Sequence, residues 1–432
     1  MIYDLIVVGG GASGLMAAIS ALEKNLKVLI LEEESRVGKK ILATGNGRCN
    51  FTHEKVSLDD YYTDASDILQ AILSRYTVQD VLMYFEKLGM YARNKNGYLY
   101  PLSENASTVL DVLRLRIQEL HGHVRTDSRV IRIRKKNELF EVLGENFRMQ
   151  GKAVILAMGS KAGGFCKDPG NMPYELGEAF RIKTSKLYPS LTRMHCREKF
   201  FKTLAGVRIQ AEVSLYEIPL YEKSSYKKSS YENGKLCMVE NGEVQFTKTG
   251  ISGIAVFQLS GFAAQSLDKG NEIEVHMNFV KELGITDPGS WILDRMKNQK
   301  DRTVDDFFLG ILPRKISQQC IRNAGLQEDI LVKNLVVDDL LKVYHQMGDF
   351  CVHITEVDSM ENAQVCRGGF YLDQFDENLQ YKKCPGLFAC GEVLNVDGIC
   401  GGFNLHFAWI SGRTAGLSAC SYVEKMNEKG KQ

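Results

Sequence analysis

A chain of 432 residues exceeds one typical domain, so we expect two or three domains with ample hydrophobic core. The formal net charge is +1 and no basic stripe carries interleaved aromatic residues, so no nucleic acid partner is expected. Eleven cysteines, odd in number, irregularly spaced and with no secretory signal before them, favour a reduced, cytoplasmic compartment over a disulfide framework.

The first βαβ unit carries a dinucleotide-binding fingerprint. The apolar run Leu5–Val8 has strand length and breaks into Gly9-x-Gly11-x-x-Gly14, which a helical pattern and a second strand ending at Glu32 follow. Gly9 permits a tight turn, Gly11 lets the backbone approach a pyrophosphate, and Gly14 lets the helix pack closely on the strand. The helix N-terminus presents free N–H groups to phosphates, and Glu32 can accept hydrogen bonds from ribose hydroxyls. We therefore predict a bound adenine dinucleotide.

Spacing argues against two other kinds of site. The uncharged stretch Leu5–Leu22 approaches the length of a membrane span, but its small residues and the strand directly after it predict no span. The cysteines and the eight histidines show no CxxC, HxxxH or HExxH spacing, so we expect no metal. No feature of the sequence sets the oligomeric state.

A polar, glycine-rich loop follows the second strand. Residues 33–40 read Glu-Glu-Ser-Arg-Val-Gly-Lys-Lys and residues 44–50 read Thr-Gly-Asn-Gly-Arg-Cys-Asn, a composition that builds no core. One interpretation is a solvated surface turn. The other is a loop that wraps the cofactor, in which Lys40 and Arg48 offset pyrophosphate charge and Asn50 supplies an amide to a polar ring edge.

The next elements continue an alternating α/β pattern. Residues 66–89 carry a helical apolar stripe, and Ser103 is a candidate N-cap for a helix ending near residue 120. Residues 124–147 alternate like strands, and a buried strand at 153–157 closes on a turn at Gly159. In a doubly wound sheet, such a turn supplies a second cofactor contact.

The middle of the chain changes character. Arg208–Ile218 and Lys235–Phe246 alternate like antiparallel strands, and the polar run Glu222–Gly234 between them is interpreted as an exposed hairpin tip. The uncharged stretch Ile254–Leu267 is interpreted as a buried helix rather than a membrane span. Residues 287–345 are helical and charged, which predicts a small helical subdomain.

The C-terminal segment favours a flavin. A short strand, Leu387–Cys390, runs into Gly391-Glu392, and a glycine-rich turn then leads to a helix, Phe407–Val423, with small residues along one face. A carboxylate at this place suits ribityl hydroxyls, and backbone N–H groups suit a flavin carbonyl. The positive end of the helix favours negative charge building on the flavin ring.

With these segments, the chain resembles the aminoacetone-oxidase-like flavoproteins, a group that also includes bile-acid and steroid dienone reductases. The resemblance spans nearly the whole chain, and the Thr-Gly-Asn-Gly-Arg-Cys-Asn signature is far more specific than the glycine fingerprint. The chain departs from the family pattern at Ile254, at Cys366-Arg367 and at His406, where proline, smaller neutral residues and glutamine are usual. The segments that carry the resemblance are 9–14, Lys40, 44–52, 246–253, Gly368-Gly369 and 391–404.

The resemblance implies an α/β fold with noncovalent FAD. A Rossmann-like FAD-binding domain, residues 1–190 and 354–432, is expected to be interrupted by an antiparallel β substrate domain, 191–280, and a helical subdomain, 281–353. The predicted cofactor-binding residues are Gly9, Gly11, Ala12, Ser13, Gly14, Glu32, Lys40, Asn46, Gly47, Arg48, Cys49, Asn50, Val130, Gly159, Gly391, Glu392, Asp397, Gly401, Gly402, Asn404 and Leu405.

Three functions are consistent with this resemblance. The first is an NAD(P)H-dependent flavin reductase of an activated C=C bond in a hydrophobic small molecule such as a steroid or bile acid, which the large apolar insert favours. The second is a flavin oxidase of a small amine or amino-ketone that produces hydrogen peroxide. The third is a flavin-binding protein without turnover. Only one full dinucleotide fingerprint is present, so NADH or NADPH would bind transiently as electron donor.

Two residues are candidates for acid–base or thiol chemistry. His406 follows the Gly-Gly-Phe-Asn turn, and a histidine can donate a proton to a substrate carbanion at neutral pH. The alternative is a structural histidine at a helix start. Cys49 beside Arg48 is either a thiol of low pKa or a buried packing residue.

Overall fold

The computed structural model describes residues 1–165, 172–218 and 234–429. The chain forms two compact units, one combining Met1–Tyr188 with Met360–Gln432 and the other spanning Pro189–Ser359. The α/β class predicted from the sequence is confirmed, because a largely parallel sheet occurs together with antiparallel sheets. The domain boundaries at residues 190, 280 and 353 stay predictions.

The regular elements follow the chain in this order. The strands are β1 (Ile2–Val8), β2 (Val28–Leu31), β3 (Thr52–His53), β4 (Tyr61–Thr63), β5 (Ala92–Lys95), β6 (Tyr98–Pro101), β7 (His123–Arg125), β8 (Val130–Lys136), β9 (Leu139–Gly144), β10 (Phe147–Leu156), β11 (Tyr188–Ser190), β12 (Met194–Cys196), β13 (Arg208–Ile218), β14 (Lys235–Phe246), β15 (Gly250–Ser252), β16 (Glu272–Asn278), β17 (Phe350–Val357), β18 (Val365–Arg367), β19 (Leu387–Ala389) and β20 (Val396–Gly398). The helices are α1 (Ala12–Leu22), α2 (Lys39–Ala43), α3 (Ser66–Leu73), α4 (Val78–Lys87), α5 (Ala106–Glu119), α6 (Met172–Glu178), α7 (Phe201–Leu204), α8 (Ile254–Asp268), α9 (Pro288–Gln299), α10 (Val304–Phe307), α11 (Arg314–Asn323), α12 (Val337–Gly348) and α13 (Phe403–Lys429).

The first unit is built on a sheet in the order β7-β2-β1-β10-β9-β8, with β19 paired to β10. Strands β1, β2, β10 and β19 run parallel, and their last residues are in register: Val8 pairs with Leu31 and Leu156, and Leu156 pairs with Ala389. The parts of these strands that lead to these ends, residues 5–8, 28–31, 153–156 and 387–389, are apolar and buried, as expected for a parallel sheet covered by helices. The loops that follow them therefore leave the sheet at one edge.

Helix α13 packs on α1 through the small-residue face that the sequence predicts. A Cβ atom added at Gly412 would overlap the carbonyl oxygen of Ser13, and one added at Gly416 would overlap that of Ala17. The two backbones approach each other so closely because neither glycine carries a side chain. The helix is longer than the predicted 407–423, since it begins directly after Gly402, whose φ of 95° is not helical.

The second unit contains a closed antiparallel barrel, β12-β15-β14-β13-β16-β17. The predicted strand pair β13 and β14 is confirmed, and the uncharged stretch 254–267 forms the buried helix α8. The predicted hairpin tip Glu222–Gly234 lies outside the described residues except for Gly234. Strand β17 runs through the predicted boundary at residue 353.

Two further helix boundaries differ from the sequence prediction. The region 66–89 is two helices, because Thr77 caps α4 by accepting a hydrogen bond from the backbone N–H of Asp80 at 3.2 Å. Helix α5 is capped by Asn105 rather than Ser103, whose hydroxyl is bonded to that of Thr108 at 2.7 Å. Among the described helices, none combines the length and the apolar composition that crossing a membrane requires.

Gly416→Ala tests the close packing of α13 on α1. The added methyl group would overlap the Ala17 carbonyl oxygen, so we expect a loss of about 1–3 kcal/mol in the free energy of unfolding. The matched control is Gly289→Ala in α9, where the nearest atom to the added methyl is a side-chain oxygen at 3.4 Å. Urea denaturation of both variants measures the difference; equal midpoints would contradict the packing argument.

Candidate cofactor-binding site

The glycine-rich turn after β1 has the geometry of a phosphate-binding turn. Gly9 has a φ of 104° and donates its N–H to the Leu31 carbonyl at 2.8 Å. A Cβ at Gly14 would overlap the Gly9 carbonyl oxygen, so α1 can pack on the turn only with glycine there. A Cβ built at Gly11 would meet no described atom within 4 Å. Helix α1 has no side-chain cap and no acid in its first turn, so no side chain of the described residues caps the N–H groups of its first turn, to which Ala12 and Ser13 belong.

Glu32 lies at the end of β2, as predicted. Its carboxylate accepts hydrogen bonds from the backbone N–H groups of Gly10 at 2.8 Å and Glu34 at 2.9 Å. Burial raises the pKa of Glu32, and these two hydrogen bonds oppose that rise. The Glu32 carbonyl also accepts from Ser128, two residues before the buried Val130. The two segments predicted to bind the adenosine end, Glu32 and the residues leading into β8, are therefore joined by a backbone hydrogen bond.

Glu392 joins four segments of the first unit. Its carboxylate accepts hydrogen bonds from Lys40 Nζ at 2.6 Å, Ser160 Oγ at 2.9 Å and the Cys366 backbone N–H at 3.0 Å. Gly159 precedes Ser160 with a φ of 68°, and a Cβ there would lie 3.7 Å from the same carboxylate. The structure thus brings three predicted cofactor residues, 40, 159 and 392, to one place.

The phosphate-binding turn also meets the C-terminal strand end. Ser13 Oγ donates to the Cys390 carbonyl at 3.3 Å, and a Cβ at Gly391 would overlap the Ser13 hydroxyl. Gly391 has a φ of 75° and donates its N–H to Ser411 Oγ at 3.0 Å. Residues nearly 380 positions apart in the sequence therefore form one continuous backbone surface.

The loop at 44–50 is wound through left-handed conformations. Asn46, Gly47 and Cys49 all have positive φ, and the exposed Arg48 lies over the Tyr100 ring at 5.7 Å. Cys49 is buried, and burial raises its pKa to about 12, so it is a packing thiol rather than a low-pKa nucleophile. The side-chain oxygen Oδ1 of Asn50 is buried and has no hydrogen-bond partner among the described residues. An unsatisfied buried acceptor in such a loop indicates a missing donor.

The two ends of the turn before α13 are joined by the side chain of Asn404. Gly401 and Gly402 have φ values of 135° and 95°, and a Cβ at Gly402 would lie 2.9 Å from Asn50 Oδ1. Asn404 clamps Gly398, donating Nδ2 to its carbonyl at 2.6 Å and accepting its N–H at 3.0 Å. Leu405 packs partly buried against the core. The turn is therefore closed by two hydrogen bonds and lies against the 44–50 loop.

A buried ion pair supports the same turn. Asp397 accepts a hydrogen bond from Arg367 Nε at 2.7 Å, and the Arg367 guanidinium lies over the Tyr62 ring at 4.3 Å. Sequence reasoning noted Arg367 only as a departure from the family pattern. The charge complementarity with Asp397 was not visible, because the two residues lie on different strands.

His406 is placed in the interior of the first unit. It is 1% exposed, and its Nδ1 shares a hydrogen bond of 2.8 Å with Thr52 Oγ1. Burial lowers its pKa to about 4, so the imidazole is neutral at pH 7. Thr52 and Ser160 were not among the predicted site residues; Ser160 directly follows Gly159, and Thr52 ends the segment 44–52 that carries the family resemblance, and these positions are the only signals of their roles.

These observations fit a dinucleotide flavin. The uncapped helix N-terminus beside Gly11 suits a pyrophosphate, the Glu32 carboxylate suits a ribose, and the buried Asn50 Oδ1 beside Gly402 suits a donor on a ring edge. The thiols nearby take no part as thiolates, since burial raises the pKa of Cys390 to about 12 and of Cys400 to about 11.

Comparison with known proteins agrees with this geometry. Residues 3–418 match the family model described as HI0933-like protein Rossmann domain. The chain is 31% identical to 3-dehydro-bile acid delta(4,6)-reductase of Clostridium scindens, over 96% of this chain and 98% of the relative. It is 24% identical to ribosomal RNA dihydrouridine synthase of Escherichia coli, over 95% and 96%. A solved structure of 3-ketosteroid delta1-dehydrogenase from Sterolibacterium denitrificans aligns with 97% of this chain and 99% of its own, at 13% identity and a TM-score of 0.49.

Glu392→Gln tests the cluster around the carboxylate. A neutral amide has one acceptor oxygen for three donors and loses the ion pair with Lys40. We expect the affinity for FAD to fall by about ten- to a hundred-fold, as for the loss of a charged hydrogen bond. Flavin fluorescence during reconstitution of the apoprotein measures the dissociation constant. Glu377→Gln, at a side chain that is 62% exposed, is the control and should leave it unchanged.

His406→Gln tests the buried neutral histidine. Because the folded pKa is about 4 and the ordinary value is 6.5, the unfolded chain binds more protons between these two pH values. The native protein should therefore lose stability as the pH falls through this window, by about 1.4 kcal/mol per pH unit from this residue. We expect the variant to show a flatter pH dependence of the unfolding free energy there. An unchanged slope would contradict a depressed pKa.

The same variant tests the predicted catalytic role of His406. If the variant retains FAD but loses turnover, the role is supported. If turnover is unchanged, His406 is removed from the mechanism and is a structural residue bonded to Thr52.

Proposed function

Because this chain belongs to the HI0933-like Rossmann family and is an FAD-dependent oxidoreductase, we propose that it reduces a C=C bond conjugated to a carbonyl group. The proposed electron donor is NADH or NADPH, which binds transiently. The proposed substrate is a hydrophobic small molecule of the steroid or bile-acid class.

The full-length similarity to the Clostridium scindens reductase carries this proposal. Its name describes reduction of C=C bonds in a compound with a 3-keto group. Dihydrouridine, the product in the name of the Escherichia coli relative, is uridine with its C=C bond beside a carbonyl saturated. Both relatives thus act on a double bond that a carbonyl polarises. That shared chemistry favours the reductase over the amine oxidase.

FAD, when bound, supplies hydride transfer to the polarised carbon. The residues of the chain hold the site in place and supply its electrostatic environment. The N-terminus of α13, whose first turn contains no acidic residue, follows Gly402 and presents the positive end of a 27-residue helix beside Asn50. Such a helix end favours negative charge, and the two hydrogen bonds between Asn404 and Gly398 connect it to the preceding turn.

The substrate class is proposed rather than a particular compound, because the chain differs from the family pattern at Cys366 and Arg367. The Cys366 backbone N–H contacts the Glu392 carboxylate, and Arg367 is a buried cation paired with Asp397. A charged side chain at a position where small neutral residues are usual changes the polarity of this region. Specificity is therefore expected to differ from relatives that have small residues there.

Anaerobic stopped-flow mixing tests the proposal. NADH or NADPH should bleach the flavin absorbance within the turnover time, and a 3-keto steroid with a conjugated C=C bond should then restore it. Mass spectrometry should show a product heavier by two hydrogens. A saturated analogue of the same ketone is the matched control and should not restore the absorbance.

The outcomes distinguish the alternatives. No bleaching by either nicotinamide would overturn the reductase. Oxygen-dependent production of hydrogen peroxide with an amino-ketone would support the oxidase instead. If no reductant or substrate changes the flavin spectrum, the protein is a flavin-binding protein without turnover.

A further inference from the structure

Two neighbouring strands of the barrel carry metal-binding residue types on one face. Strand β16 contains Glu274 and His276, and strand β17 contains Cys351 and His353. The antiparallel register pairs Glu274 with His353 and His276 with Cys351. Because side chains alternate along a strand, all four side chains project from the same face of the sheet. This juxtaposition follows from the register, and no linear spacing motif marks it.

The side chains converge in a largely buried place. Glu274 is 3% exposed and His276 is 8% exposed. The ligand atoms of Glu274, His276 and Cys351 all lie within 4.8 Å of one another, and His276 Nε2 lies 3.3 Å from Glu274 Oε2. Ligand atoms around a tetrahedral ion at its usual bond lengths are about 3.4 Å apart, so this spacing requires only small side-chain rotations.

Carboxylates outside this trio orient the two imidazoles. His276 Nδ1 donates to Asp349 at 2.5 Å, which leaves Nε2 directed at Glu274. His353 donates through Nδ1 to Glu198 at 2.7 Å, and its Nε2 contacts the second oxygen of Glu274 at 3.3 Å. A histidine that holds a carboxylate through one nitrogen and presents the other is the common arrangement around bound metals.

We propose that Glu274, His276 and Cys351 form a zinc site in the second unit, with water in the fourth position. In this site Asp349 and the Glu198–His353 pair are positioning groups, since they contact the ligands and not the metal. The proposal departs from the expectation of no metal that sequence spacing supports.

The ligand atoms of these three side chains indicate which kind of metal ion the site would bind. One thiolate, one imidazole and one carboxylate are the ligands that Zn²⁺ accepts in tetrahedral geometry, whereas Ca²⁺ and Mg²⁺ require oxygen ligands. Cys351 is partly exposed and Asp349 is 47% exposed, so solvent and the ion can reach the cluster. The ion would tie β16 to β17 within the closed barrel.

The other explanation of the cluster is a network of ion pairs. Although burial opposes the charged form, hydrogen bonds to Asp349, Cys351 and Glu274 raise the pKa of His276 to about 12. A protonated His276 would bridge the same carboxylates without an ion. The two explanations differ in one observable: only the zinc site forms a bond between a metal and the Cys351 sulfur.

The experiment measures zinc in the intact holoprotein. After treatment with a chelator and titration with Zn²⁺, mass spectrometry of the metal should give about one zinc per FAD. X-ray absorption at the zinc edge should show one sulfur and several nitrogen or oxygen neighbours. Cys351→Ser should remove the sulfur neighbour and weaken binding, while Cys237→Ser on strand β14 is the matched control and should change neither.

A substitution of His353 tests the role of the positioning groups. His353→Gln should keep the sulfur neighbour and lower the affinity for zinc by about 10–100-fold. Circular dichroism and FAD content confirm folding of each variant. No zinc uptake by the folded holoprotein, or zinc bound equally well by Cys351→Ser, would overturn the site and leave the ion-pair network.

Discussion

The in-register ends of four parallel strands are the constraint on which the cofactor site depends. Val8, Leu31, Leu156 and Ala389 lie side by side at the carboxyl edge of the sheet. Each is followed within three residues by a glycine or an acid of the site. Because the carboxyl ends of parallel strands lie at the same edge of the sheet, the segments that follow them come close together although hundreds of residues separate them in the sequence. The other contacts of the candidate site, including the hydrogen bond between Ser13 and Cys390, depend on this register.

This constraint explains what could be predicted from the sequence. The Gly9–Gly14 turn and Glu32 are local features of one βαβ unit, so their spacing alone indicates their geometry. The small-residue face of α13 is also local, because helical periodicity reveals it. The hydrogen bond between Thr52 and His406 is not local, since it depends on how α13 packs over a strand 354 residues earlier. Burial of His406, and hence its lowered pKa, could not be inferred from its position after a glycine-rich turn.

The barrel also combines features that the sequence predicts with features that depend on how the strands pair. Alternation along β13 and β14 predicted two antiparallel strands, and period-two patterning identifies which residues share a face. It does not identify which strands are neighbours. The Glu-x-His of β16 and the Cys-x-His of β17 are 75 residues apart, and only the register of that pair aligns them. A shift by one residue would send one pair of side chains to the opposite face and disperse the cluster.

The contacts of Glu392 allow the side chains at positions 366 and 367 to vary while the carboxylate keeps its hydrogen bonds. Two of its donors are side chains, Lys40 and Ser160, but the third is the backbone N–H of Cys366. A backbone donor places no demand on the side chain at that position. The carboxylate network therefore survives when the residues at 366 and 367 change, and those side chains are free to alter the neighbouring polarity. In this chain the change introduces Arg367, and Asp397 balances its buried charge. Variation at these two positions is thus separated from the hydrogen bonds that hold the Glu392 carboxylate.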